Sequence, residues 1–191
     1  MSNSRIEDIV NGKLAWTEVD LLEIGDSSAL TLRTALEELG IRVNYLPIGQ
    51  ARHVTAALGG DRPIAPFVIL SCHGDSGSIF LPELGGEIAE VQPFVGTMGP
   101  DHVRNHLRLP GSVVISTGCD TGDPALAEAF LEVGASSYFA PTDSPDGHAA
   151  FMAALILFYE MTEGRELLDA VKRVQTYNDS FAMWTLWDER P

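Results

Sequence analysis

Short apolar runs alternate with segments of helical periodicity along most of this chain. Five of the runs predict strands: Val19–Ile24, Ile41–Pro47, Phe67–Cys72, Ser112–Thr117 and Ala135–Ala140. Runs that are apolar almost throughout, rather than at every second residue, are typical of strands buried on both faces. The alternation therefore predicts an α/β fold, a three-layer sandwich with a mainly parallel central sheet and helices on both faces.

Capping and turn residues bound the helices between these strands. The Asp26-Ser-Ser sequence offers capping oxygens to a first helix, which Gly40 ends. The further predicted helices are Ala51–Leu58, Met98–Leu107, Ala125–Val133 behind an Asp123-Pro124 cap, a long one from Ser144-Pro145 to Met161, and Arg165–Tyr177. The apolar stretch and turn residues of Ser78–Gly86 predict a short β-ribbon after the third strand.

Composition narrows the class of protein. With 191 residues, 45% of them hydrophobic, we expect one domain spanning 1–191. The net charge of −15 and the lack of a Lys/Arg run disfavour nucleic acid and anionic membrane surfaces as partners. The acidity suits basic peptides as partners, although a solvated acidic surface that keeps a protein in solution is the more frequent reason for such a charge. No signal peptide or membrane-length apolar run is apparent, and two cysteines make no disulfide framework, so we expect a cytoplasmic protein.

Two residues with reactive side chains follow consecutive long strands of the predicted sheet. His73 comes directly after Phe67–Cys72, and Cys119 follows Ser112–Thr117. Carboxyl ends of neighbouring parallel strands, ~5 Å apart, are where such sheets collect catalytic groups. An imidazole and the positive end of the helix at Pro124 would favour the thiolate of Cys119. Alone, each residue is more often an inert core or turn residue; together they favour nucleophilic catalysis.

The motifs around this pair resemble a known group of enzymes. Val68-Ile-Leu-Ser-Cys-His73-Gly and Val113-Val-Ile-Ser-Thr-Gly-Cys119-Asp-Thr-Gly are similar to the strand-His-Gly and strand-Cys-x-Thr/Ser-Gly motifs of caspase-like cysteine peptidases, most closely the bacterial CHAT-type domains. The segment from Ala127 to Ala170 resembles the same family, and the spacing of 46 residues agrees with a caspase histidine about 50 residues upstream of the cysteine. The resemblance implies a caspase-like fold with flavodoxin-like strand order.

The resemblance also implies roles for individual residues. Cys119 would attack a peptide carbonyl and form a thioester, His73 would handle the proton, and the backbone N–H groups of Gly74 and Cys119 would bind the oxyanion. No cofactor is implied; the partners are a peptide or protein substrate and an activating protein. Gly118 stands where the family commonly has Ala and Pro141 where many CHAT domains have Trp, and both departures bear on substrate binding.

Several residues are secondary candidates for the site. Asp143 and Asp146 follow the fifth strand, where the family builds its specificity pocket, and either is placed to select Arg or Lys, although surface turn residues are more common there. Cys72 should point to the opposite side of its strand from His73, into the core. His102 and His106 have metal-chelating spacing but no accompanying carboxylate motif, so no metal site is expected.

Three other classes of protein compete with a peptidase. One is a non-enzymatic caspase-like interaction or regulatory module, because the short chain brings few loops to shape a substrate groove. A receiver-like signalling domain would need an Asp where the third strand ends at His73. A nucleotide enzyme would need a glycine-rich phosphate loop, and neither G-x-G-x-x-G nor Gly-Lys-Ser/Thr occurs. The aromatic residues Phe181, Trp184 and Trp187 are expected to pack on the domain itself.

Overall fold

A computed structural model describes residues 18–188 of the chain, so the N-terminal stretch judged above for a signal peptide lies outside the described residues. The strands are β1 (Glu18–Ile24), β2 (Arg42–Pro47), β3 (Phe67–Cys72), β4 (Gly74–Asp75), β5 (Ser78–Phe80), β6 (Thr97–Met98), β7 (Val113–Ser116), β8 (Ser137–Pro141) and β9 (Trp184–Asp188). The helices are α1 (Ser28–Glu38), α2 (Ala51–Leu58), α3 (Gly86–Glu90), α4 (Pro100–His106), α5 (Pro124–Glu132), α6 (Gly147–Thr162), α7 (Leu167–Gln175) and α8 (Asp179–Ala182).

The central sheet has six strands in the order β2-β1-β3-β7-β8-β9. The first five are mutually parallel and follow the flavodoxin-like order, and β9 adds to the edge in antiparallel orientation. The predicted fold class is therefore confirmed. The edge strand β9 was not predicted, because its residues contain the aromatic side chains Trp184 and Trp187 and no turn signal sets them apart from a packed tail.

Helices cover both faces of this sheet. Neighbouring residues of β1 show the division: Leu22 packs with α2, α4 and α5, and Leu21 packs with α1, α6 and α7. Phe181 and Trp184 are buried in the second layer and Trp187 packs against the first, as predicted. Among residues 18–188, no helix is long and apolar enough to cross a bilayer.

A second, small sheet follows β3 directly. Its strand order is β4-β5-β6, and both pairings are antiparallel. The predicted ribbon is present, and it gains a third strand where the helix Met98–Leu107 was expected to begin. That helix starts at Pro100 instead, because Gly99 is extended and the proline takes the first helical position, where its missing N–H does no harm.

A buried ion pair ties β1 to the linker that precedes β3. Asp20 is fully buried, and its carboxylate accepts hydrogen bonds from both terminal nitrogens of Arg62 at 2.8 and 2.9 Å, from Asn44 Nδ2 at 2.9 Å and from the Ala65 amide at 3.1 Å. Burial opposes ionisation, but these bonds outweigh it and hold the pKa of Asp20 below its ordinary value. The pair stabilises the approach of the chain to β3 and so to His73.

Candidate active site

The two strands that precede the candidate dyad, β3 and β7, are neighbours in the central sheet. β3 pairs with β7 in parallel, with Phe67 opposite Val113 and Leu70 opposite Ser116, an offset of 46 residues. The same 46 residues separate His73 from Cys119. Beyond the ladder, the Thr117 amide still donates to Leu70 O at 3.1 Å. His73 directly follows β3 and Cys119 lies three residues beyond the end of β7, so both residues lie in loops at the carboxyl edge of neighbouring strands.

Two glycines allow the loops after these strands to touch. A Cβ added to Gly74 would lie 2.9 Å from Cys119 O and 2.8 Å from Ser78 O, and one added to Gly118 would lie 3.2 Å from Gly74 N. At Gly74 these distances are too short for a real Cβ, so that position requires glycine, whereas at Gly118 a Cβ would be tight against the backbone of Gly74. The backbones of the predicted oxyanion donors, Gly74 and Cys119, are thereby held side by side.

A buried polar cluster lies beneath the cysteine loop. Thr121 Oγ1 contacts Gly118 O at 2.7 Å and Ser116 Oγ at 2.8 Å, and the Tyr138 hydroxyl donates to Thr121 O at 2.9 Å. Thr121 and Ser116 are fully buried. The cluster fixes the loop that carries Cys119. Sequence reasoning noted Thr121 only as part of the motif, and Ser116 and Tyr138 looked like ordinary strand residues.

Asp120 joins three loops at the same edge. Its φ of 52° lies in the left-handed region, which residues other than glycine rarely adopt. Its amide donates to Asp143 O at 3.0 Å, its carbonyl accepts from Gly77 N at 3.0 Å, and its Oδ2 accepts from Ser76 N at 2.9 Å. Asp120 therefore links the cysteine loop both to the turn between β4 and β5 and to the loop after β8. No sequence signal had singled it out.

The two cysteines occupy different environments. Cys72 is 3% exposed, its Sγ lies 3.5 Å from Ser116 Oγ, and burial raises the pKa of its thiol to about 11. Cys119 is half-buried, and both thiols are free. The predicted burial of Cys72 is confirmed. Cys119 is the more exposed of the two cysteines, and His73 is exposed as well.

The turn after β1 lies on the other side of His73. Gly25 forms a β-bridge with Cys72, and a cleft of about 430 Å³ is lined by Ile24, Gly25, His73, Gly74, Phe80, Leu81 and Pro82. Asp26 accepts hydrogen bonds from Ser28 and Ser71 and interacts electrostatically with His73; these effects outweigh burial and lower the pKa of Asp26. Sequence reasoning had treated Asp26 as a helix cap only.

Asp143 and Asp146 are both exposed, but they lie in different surroundings. Asp143 meets the cysteine loop through its backbone, and its own Oδ1 accepts from the Ser144 amide at 2.7 Å. Asp146 begins α6, and its Oδ2 accepts from Ser180 Oγ at 3.1 Å. The structure thus brings Asp143 to the loop of Cys119 and ties Asp146 to α8.

The remaining site candidates from the sequence are the histidine pair on α4 and the N-terminal turn of α5. His102 and His106 stack against the ring of Phe94, with ring centroids 4.6 and 5.2 Å apart, and within residues 18–188 no group of three potential metal ligands comes together. At the start of α5, Asp123 Oδ1 accepts from the amides of Ala125 and Leu126. Those amides are therefore engaged by a carboxylate rather than turned to the thiol of Cys119.

The glycine contacts lead to a test of the loop packing. Replacing Gly118 with alanine is expected to lower the free energy of unfolding by about 1–3 kcal/mol, because its Cβ would lie 2.9 Å from Thr121 Cγ2 and 3.0 Å from Cys72 Sγ. These two side chains also explain why alanine is not found here. Urea denaturation followed by tryptophan fluorescence measures the effect.

Gly74→Ala is the matched comparison. In Gly118→Ala, trimming Thr121 to serine and Cys72 to alanine should recover part of the lost stability. In Gly74→Ala the same changes should recover little, because two of the three close contacts of the added Cβ are backbone oxygens. Equal stability of Gly118→Ala and the parent protein would show that the two loops are not packed as described.

Comparison with known proteins identifies the fold. No family model matches the sequence, and no curated protein is similar to it. The complex of the pro- and mature domains of Porphyromonas gingivalis RgpB matches with a TM-score of 0.59 and 12% identity, over 91% of this chain and 48% of that chain. The Arg-specific cysteine proteinase gingipain R (RgpB) matches with a TM-score of 0.60 and 12% identity, over 97% and 52%. This chain spans about half the length of these two solved structures and shares their fold.

Proposed function

We propose that the protein is a cysteine-dependent peptide-bond hydrolase with His73 and Cys119 as its catalytic dyad. The observation that carries the proposal is that the loops after the neighbouring parallel strands β3 and β7 touch at Gly74 and Cys119, and that these loops contain an exposed histidine and a half-buried cysteine with a free thiol. The caspase-like fold, built on the same sheet order, supports it. Membership among the CHAT-type domains and a cytoplasmic location belong to the same proposal.

The reaction runs in two halves. The Cys119 thiolate attacks the peptide carbonyl carbon and forms a C–S bond, while the N–H groups of Gly74 and Cys119 stabilise the oxyanion. His73 gives its proton to the leaving amine as the C–N bond breaks, which leaves a thioester. Water then loses a proton to His73 and attacks the thioester carbon, and the C–S bond breaks to release the acid and the thiolate.

The charge around the dyad favours a basic substrate. No Lys or Arg occurs between Arg62 and Arg104 or between Arg108 and Arg165, which covers the loops after β3, β7 and β8. The acidic residues on these loops are Asp75, Asp120, Asp123, Asp143 and Asp146. We propose that Asp143 and Asp146 bind an Arg or Lys side chain before the scissile bond; Asp143 has the stronger support, because it contacts the cysteine loop.

A non-enzymatic regulatory module is the second candidate. It is favoured by the cleft beside His73, whose lining residues do not include Cys119, and by the engagement of the first α5 amides with Asp123. In that case the same edge of the sheet would bind a partner protein without cleaving it.

Labelling with peptidyl acyloxymethyl ketones separates the two candidates. Purified protein is treated with a panel carrying Arg, Lys, Asp, Asn or Leu at the first position, and the modified residue is located by mass spectrometry. We expect modification of Cys119, fastest with Arg or Lys, and its loss in His73→Ala. Asp143→Asn should lower the preference for Arg over Leu by about tenfold, as expected for loss of one charged contact, and Asp146→Asn should lower it less.

The outcomes distinguish the parts of the proposal. Labelling of Cys119 with no preference for basic side chains would remove the assignment of Asp143 and Asp146 but leave the dyad. No labelling of Cys119, beside a reactive thiol control, would favour the regulatory module.

A further inference from the structure

Exposed apolar side chains are concentrated between β5 and β6. Of the eight large hydrophobic residues that are exposed in the described part of the chain, four lie there: Phe80, Ile88, Val91 and Val95, at 43, 52, 68 and 53% exposure. The other four are spread over α1, α6, α7 and the turn after α7. Single exposed apolar residues are ordinary, whereas a local concentration marks a surface that binds something.

Two of the four residues, Phe80 and Val95, line a pair of adjoining clefts. One, of about 290 Å³, is lined by Pro82, Glu83, Leu84, Ala89, Val95 and Gly96. It shares Pro82 with the cleft of about 430 Å³ that contains Phe80 and His73. Ile88 and Val91 are three residues apart on α3 and its C-cap, so they fall on one side of the helix, and neither lines these two clefts. We call Phe80, Ile88, Val91, Val95 and these clefts the 80–95 surface.

The charged residues between Phe80 and Gly96 are all acidic. Glu83, Glu87 and Glu90 are exposed, and none of them forms an ion pair with a cation among residues 18–188. The nearest cation in sequence, Arg104 on α4, is engaged by Asp101, Glu128 and Glu132. At the border of the surface with α2, Gln92 accepts from the backbone amide of Arg52 at 3.2 Å. An apolar face edged with unpaired carboxylates suits a partner that is both apolar and basic.

We propose that the 80–95 surface docks a basic amphipathic segment of a partner protein. A second copy of the chain is the poorer occupant, because each copy has a net charge of −15 and like charges would meet. Residues 1–17 do not supply a basic segment either, since Arg5 and Lys13 are balanced by Glu7 and Asp8. The surface was not visible in the sequence, where Phe80 was part of the predicted ribbon Ser78–Gly86 and Ile88, Val91 and Val95 belonged to no predicted element.

Docking here would act on the backbone of His73. Phe80 N donates to His73 O at 2.9 Å, and Leu81 N donates to Gly96 O at 2.9 Å. A partner seated on Phe80 and Val95 would therefore hold the strand that binds the histidine loop. The binding is independent of the proposed peptidase activity, and only its effect on Cys119 rests on that proposal.

A synthetic probe tests the binding. A fluorescein-labelled peptide of about 18 residues, with Leu and Lys in amphipathic helical order, is titrated with the protein at about 0.15 M salt and followed by anisotropy. We expect Ile88→Ser/Val91→Ser to weaken binding by about tenfold or more. The matched variant Leu30→Ser/Leu168→Ser also replaces two exposed apolar residues, but outside the 80–95 surface, and should bind like the parent protein. A counterpart peptide with Glu for Lys should not bind.

Three results would overturn the proposal. They are equal binding by Ile88→Ser/Val91→Ser when circular dichroism shows it folded, equal binding of the Glu peptide, and sedimentation showing a dimer that this variant abolishes.

If docking activates the site, the Lys peptide should speed alkylation of Cys119 by iodoacetamide in the parent protein and not in Ile88→Ser/Val91→Ser. Binding without any His73-dependent reaction at Cys119 would leave the docking surface standing and remove the peptidase.

Discussion

Cys119→Ala is expected to abolish peptide hydrolysis, with turnover falling by at least about 10³-fold, because no other thiol at this edge can form the thioester. The free energy of unfolding should change by about 1 kcal/mol or less, since Cys119 is only half-buried. Turnover is measured on a fluorogenic peptide with the side chain that labels fastest, and stability by urea denaturation. His73→Ala should likewise abolish turnover. It should change the free energy of unfolding little, because His73 is exposed.

Cys72→Ala is the matched control for this prediction. Its thiol is 3% exposed and lies among core residues, so the substitution should lower stability by about 1 kcal/mol or more and leave the dyad's reactivity in place. Cys119→Ala should therefore abolish activity with little change in stability, whereas Cys72→Ala should lower stability with little change in activity. Full activity of Cys119→Ala would assign the nucleophile elsewhere, and its unfolding would make the residue a packing residue.

Arg62→Ala is expected to lower the free energy of unfolding at pH 7 by about 3–5 kcal/mol. Asp20 is fully buried, and without the guanidinium its carboxylate keeps only Asn44 and the Ala65 amide as donors. Urea denaturation at pH 7 measures the loss. In an Asp20→Asn background the same substitution should cost clearly less, because no buried charge is then left unpaired.

The pH dependence follows from the direction of the Asp20 shift. Its pKa is lowered in the folded protein relative to the ordinary value of 3.8, so the ion pair's contribution is fully present above that value and is lost as the pH falls through the folded pKa. The cost of Arg62→Ala should therefore shrink on acidification below about pH 4. Lys172→Ala, which breaks an exposed ion pair with Asp169, should change stability by about 0.5 kcal/mol or less at any pH. A comparable loss in both variants would contradict the buried pair.

The strands were predictable where burial was complete on both faces. β3 is buried at every position, and its bounds, Phe67–Cys72, agree with the apolar run. Likewise α2 begins at Ala51 and ends at Leu58, where Gly59 follows, as the pattern predicts. Elements whose signal is weaker were misplaced or missed: β6 has only two residues, and β9 is recognised by pairing with β8, a partner distant in sequence.

The candidate site divides in the same way. The sequence by itself determined the fold class, the order of the elements and the carboxyl-edge positions of His73 and Cys119, because hydrophobic periodicity and strand-end motifs are local properties of the chain. Only the tertiary structure decided the parallel register of β3 with β7, the contact of Gly74 with the cysteine loop, the link through Asp120 and the pairing of Asp20 with Arg62. Those features depend on how close residues that are far apart in sequence come to one another, and only the packing of the folded chain sets these distances.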